Sequence, residues 1–245
     1  MYLRLCILAL LFVSTLLQAE ELATLTLIER PQNRELPQYS ANNQRYVPGE
    51  VKQRYAVRLS NRTGERLLVI LSVDGVNAIS GQTASPSQSG YVLDPYEQVD
   101  IAGWRKSDRD VAQFYFTALP DSYAARTHRP DNVGIIGIAV FQEKRRPPPP
   151  VPQYLEEHSS RGSGLDAAAA APQKRETRLG TGHGEREYAP VTHTQFERAS
   201  AEPAQISTIR YDTRQHLIDQ GIIPAPREPQ AFPNQYVPDP PPRRH

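Results

Sequence analysis

The chain has 245 residues, a formal net charge of +1, 38% apolar residues, 23 prolines and a single Cys and Met. It is too polar for a bundle of membrane helices and too apolar for a wholly disordered chain. Met1 and Cys6 both fall in the first 19 residues, so disulfides, zinc–thiolate sites, iron–sulfur clusters and cysteine nucleophiles are excluded from the chain beyond them.

Those first residues read as a leader. Arg4 supplies a short basic region, Leu5 to Leu17 is an apolar run of 13 residues, and Gln18-Ala19 precedes two acids. This is the pattern of a secretory signal peptide, with cleavage expected after Ala19. The run falls short of the roughly 20 residues that cross a bilayer as a helix, and no later run approaches that length. A periplasmic or secreted chain with no membrane span is therefore expected. A retained amphipathic or buried helix is the competing reading. Cys6 precedes the apolar run, whereas a lipid-bearing Cys follows it, which argues against a lipoprotein anchor.

Beyond the leader the composition divides in two. Residues 20–143 hold 50 apolar residues and seven prolines; residues 144–245 hold 29 and 16. Only the first stretch carries enough apolar side chains for a full core without crosslinks. Its strands are expected at Leu22–Ile28, at the alternating Arg54–Leu59, and at the nearly continuous apolar run Arg66–Val73. Asp74-Gly75 is a hairpin signal leading into Val76–Ile79. Further short strands are expected at Tyr91–Leu93, Tyr96–Ile101, Gln113–Thr117 and Gly134–Phe141, the last a central strand rather than a buried helix because of its β-branched residues. With no amphipathic helix among them, these predict an antiparallel β-sandwich of the immunoglobulin-like or jelly-roll-like kind.

Lys144-Arg145-Arg146 and the prolines of residues 147–152 mark a boundary, and residues 144–178 are expected to form a Pro-, Ala- and Ser-rich linker. Polyproline is also a ligand for aromatic grooves. Residues 179–223 regain structure: strands at Val191–Phe196 and Ile206–Tyr211, then a helix Arg214–Gln220 capped by Asp212 or Thr213 and ended by Gly221. This stretch has too few apolar residues to stand alone and is expected to dock on the sandwich or on a partner. Residues 224–245, with eight prolines, read as a disordered tail.

Chemistry is sparse. His183, Glu185 and His193 offer two imidazoles and a carboxylate as a zinc alternative, but without a metal-binding helix motif. His128 lies among charged residues with no nucleophile paired to it. Arg161-Gly162-Ser163-Gly164 lacks the flanking strand and helix of a nucleophile elbow. Gly180-Thr181-Gly182-His183-Gly184 reads as a flexible turn or an anion cradle, with no lysine at P-loop spacing. Asn61-Arg62-Thr63 matches a glycosylation sequon that doubles as a turn. The balanced charge of both halves argues against nucleic acid, and nothing calls for a cofactor. Trp104, beside Arg105 and alternating charges, is the leading candidate contact residue, with Tyr123 and His128 on the same rim if the loops gather at one end. Its rival reading is a core Trp.

The run VDGVNAISGQTASPSQSGYVLDPYEQVDIAGWRKS, then FYFTALPDSYAARTHRPDNVGIIGIAVFQE and LGTGHGEREYAPVTHTQFERA, resembles a family of exported Gram-negative bacterial proteins of uncharacterised function. The resemblance covers Val73–Glu143 and Leu179–Ala199. It implies a periplasmic or cell-envelope setting and transfers no activity and no catalytic residue. Together these observations predict a non-enzymatic binding or interaction module whose partner is another envelope protein or a cell-wall component. The alternatives are an envelope hydrolase or metal-dependent enzyme using the loop histidines His128, His183 and His193, and a spacer between envelope layers.

Overall fold

The computed structural model describes residues 21–30, 32–145 and 178–226. The leader, the polyproline spacer, most of the linker and most of the tail anticipated above lie outside the described residues.

The described chain is mainly β, in two sheets of seven strands each. The first contains β1 (Ala23–Arg30), β2 (Arg34–Glu35), β5 (Arg54–Asn61), β9 (Gln98–Ile101), β10 (Gly103–Arg105), β11 (Asp110–Ala118) and β13 (Leu179–Tyr188). The second contains β3 (Tyr39–Ala41), β4 (Gln44–Gly49), β6 (Leu67–Val73), β7 (Val76–Asn77), β8 (Tyr91–Leu93), β12 (Ile135–Gln142) and β14 (Gln205–Thr213). Two short α-helices, α1 (Tyr123–Arg126) and α2 (Arg214–Asp219), and two 3-10 turns, Leu119–Asp121 and Pro130–Asn132, complete the described set.

The alternation Leu25, Leu27, Tyr55, Val57, Leu59 turns one face of the paired strands β1 and β5 inward. Those side chains meet Leu67, Val69, Leu71, Ile136, Ile138 and Val140 of the second sheet in one core. The aromatic centre is Tyr55, stacked between Phe114 at 5.4 Å and Phe116 at 4.4 Å. The nearly continuous apolar runs of β6 and β12 are explained by burial on both faces. Leu68, Ile70, Ala139 and Phe141 form a second cluster on the outer side, against which Phe196 packs.

Phe196 belongs to the stretch where a strand was expected at Val191–Phe196. That stretch is an irregular strap. Its backbone bonds outward, Val191 N–H to Asp108 and Ala199 N–H to Gln142, and Arg198 lies 4.2 Å over the Phe141 ring while donating to the Pro86 and Gln88 carbonyls. Side-chain anchors thus replace a ladder partner.

The chain beyond residue 178 is built into both sheets. β13 pairs antiparallel with β11, and β14 lies between β12, antiparallel, and β4, parallel. The glycines of β13 are close-approach positions rather than a flexible turn: a Cβ on Gly180 would stand 2.5 Å from Ser122 Cβ, one on Gly182 2.2 Å from the Tyr115 ring, and one on Gly184 2.8 Å from the Gln113 carbonyl. In β11 the step from Ala112 to Phe114 faces the longer step from Arg186 to His183, a bulge. It puts His183 and Arg186 on one face and the intervening Glu185 on the other. The Asn61 sequon is a buried turn: its amide nitrogen donates to the carbonyls of Glu65 and Asp94, and its oxygen accepts from Thr63 N–H and hydroxyl.

Candidate functional site

Asp74 and Gly75 form the expected hairpin between β6 and β7, with φ of 54° and 74°, the geometry of a type I′ turn. The turn also aims the Asp74 carboxyl into the interior. There it accepts from Tyr211 hydroxyl (2.5 Å), Thr181 N–H (2.7 Å) and Gly134 N–H (3.0 Å). Thr181 hydroxyl in turn bonds Tyr211 at 2.7 Å and Tyr55 at 2.6 Å. One buried network therefore ties the hairpin to β5, β13 and β14. Burial dominates over these bonds and raises the Asp74 pKa to about 6; burial first, then the Asp74 charge, pushes both tyrosines upward.

Gly134 and Tyr211 are also walls of a cleft of about 720 Å³. Its polar groups come from several segments: Gln44 and Tyr46 on β4, Arg178 just before β13, Arg210 and Asp212 on β14, and His216 and Gln220 at α2. Thr213 caps α2 by accepting from His216 N–H. The cap brings the His216 ring back over Asp212, Nδ1 to Oδ2 at 2.6 Å, with Nε2 3.0 Å from the Gln220 amide nitrogen. With Asp212 accepting from Nδ1–H, the Nε2 lone pair accepts from the Gln220 amide N–H. Arg210 Nε donates to Gln44 at 2.5 Å. The cleft can thus offer guanidinium and amide donors alongside one oriented imidazole.

This site was not among the residues singled out from sequence, although an Asp and a His four apart across a helix start would share a side of that turn. Trp104 is 2% exposed and packs edge-on against Phe114 at 4.8 Å. Arg105 is half-buried, its guanidinium donating to the Ala189 carbonyl. Tyr123 contacts Trp104 at 4.9 Å, while His128 is exposed in the following turn at φ 61°. Of the anticipated rim, the structure thus joins Trp104 to Tyr123. The zinc alternative is not assembled: His183 stacks on Tyr123, Glu185 pairs with Arg54, and His193 pairs with Asp108 at 3.0 Å. The β13 bulge separates His183 from Glu185 by face. Among the described residues no three His, Asp or Glu side chains form a group able to hold a metal ion, and no helix is long and apolar enough to cross a membrane.

No family model, curated protein or solved structure matches the chain.

Proposed function

We propose that this is an exported periplasmic or envelope binding module, an immunoglobulin-like or jelly-roll-like sandwich whose cleft takes a polar ligand or a polar segment of an envelope partner. The observation that carries the reading is the cleft itself. Its size is that of a ligand site, and its donors converge from β4, β14, α2 and the entry to β13. The export half of the reading rests on the leader and on the family resemblance.

Site-specific photo-crosslinking in cells tests it. A crosslinker at Gln44 or Gln220 should give a defined adduct that one at the exposed Tyr96 does not, and the Arg210→Gln background should lose it. Adducts that are absent, or the same from all three positions, would refute the cleft. Recovery of the chain in the cytoplasm with Met1 intact would refute export. A hydrolase is the second reading, favoured by the Asp212–His216 pair. It requires that His216→Ala abolish turnover of a model ester by the purified chain while leaving its fold intact.

A further inference from the structure

The edge of the first sheet carries a cluster that the cleft does not use. Trp104, Ala112 and Arg186 are register partners across β10, β11 and β13, so they share a face of the sheet. The bulge adds His183 to that face. His183 stacks 5.4 Å from Tyr123 and 6.4 Å from Trp104, and Arg129 lies 5.8 Å over the Tyr123 ring.

Around this aromatic group stand Lys106, just after β10, Arg126 at the end of α1, and Arg186 on β13. All three are exposed. Among the described residues their side chains have neither an ion-pair nor a hydrogen-bond partner. Of the acids between β10 and β11, Asp108 pairs with His193 and Asp110 accepts from Ser107. Desolvation lowers the His183 pKa, and Lys106, Arg126 and Arg186 depress it further, as expected where uncompensated positive charge gathers. The Trp104 indole N–H is buried without an acceptor in the same stack.

We propose that Lys106, Arg126, His183 and Arg186 form an anion site, separate from the cleft, for a small multivalent anion presenting phosphate or carboxylate oxygens, free or carried as a lipid headgroup. Three cations on three different elements suit a compact, multiply charged group, because each oxygen can meet a different donor. The aromatic stack fixes the floor, and the bulge turns Arg186 toward it.

The test follows the His183 imidazole by NMR in the full mature chain, at constant ionic strength. Pyrophosphate and citrate are the two probes. Either one should produce a saturable shift of the His183 signals and raise its pKa, since a bound anion offsets the surrounding positive charge. Arg126→Gln and Arg186→Gln should each weaken binding about tenfold, the scale of one charge contact, without changing the melting temperature, because neither side chain has a partner to lose. His216→Ala in the cleft should leave the titration unchanged. Sedimentation with vesicles of anionic or of zwitterionic lipid separates the sources: pelleting with the anionic ones alone identifies a headgroup, and no pelleting identifies the free anion. A His183 signal that saturates with neither probe, or a shift equally strong in the Arg126→Gln/Arg186→Gln double variant, would overturn the site.

Discussion

Replacing Asp74 by Asn isolates the electrostatics of the buried network. Asn keeps the side-chain shape and tolerates the positive φ of the turn, but it cannot ionise. Raising the carboxyl from its ordinary 3.8 to about 6 corresponds to about 3 kcal/mol. The sign follows from which state holds the proton. Between pH 4 and 6 the folded chain keeps the Asp74 proton while the unfolded chain has released it, so this group's contribution is full below pH 4 and is lost as the pH rises through 6. Asn removes that dependence. It also turns an N–H toward Tyr211, Thr181 or Gly134, all of which donate to Asp74, at a cost of about 1–3 kcal/mol. At pH 7 the two effects offset and the variant should lie within about 2 kcal/mol of the parent. On acidification to pH 3 the parent should gain about 3 kcal/mol relative to the variant. Urea unfolding of both chains at a series of pH values measures this directly. A stability difference that is flat across the range, or that moves in the variant's favour on acidification, would refute the reasoning.

Three other perturbations probe separate parts of the fold. Trp104→Ala should cost about 3–5 kcal/mol, the range for a large buried aromatic, in the same urea assay; a loss under 1 kcal/mol would return Trp104 to the exposed contact role. Gly103→Ala should destabilise by about 3 kcal/mol or more, because its Cβ would sit 2.0 Å from the Ala112 backbone carbonyl and the strand must move; an unchanged melting temperature would show that β10 yields freely. Asn61→Ala should cost about 2–3 kcal/mol, since it strands the buried carbonyls and the Thr63 N–H of the turn. Intact-mass measurement of the protein from a glycosylating host should show no added glycan at Asn61.

Much of the sandwich was legible because its signals are local. The alternation in Arg54–Leu59, the Asp74-Gly75 pair, the apolar run of β12 and the Thr213 cap with Gly221 at φ 72° each act within a few residues. β13 was hidden because its glycines answer to Tyr115, Ser122 and Gln113, far away in the chain. β4 was missed because it is a short strand carrying Pro48, held between the three-residue β3 and the distant β14. The expected strand at Val191–Phe196 failed for the complementary reason: its apolar side chains found a face to cover but no ladder to join. The cleft shares that non-local origin, since Arg178, Arg210 and Gln44 meet only once β14 is in place. Trp104, by contrast, had both of its readings visible in the sequence, and burial decided between them.

The position of β14 makes the described protein a two-piece assembly. Everything up to residue 145 lacks the strand that separates β4 from β12, and the residues from 178 onward supply it from outside, as a key completes a lock. A cut between residues 145 and 178 should leave the halves bound, and the two halves made separately should reconstitute the whole. It also sets an order of events, because neither the second sheet nor the Asp74 network can close until β13 and β14 have emerged. A nascent polypeptide of this design carries an open second sheet until Thr213 has been made.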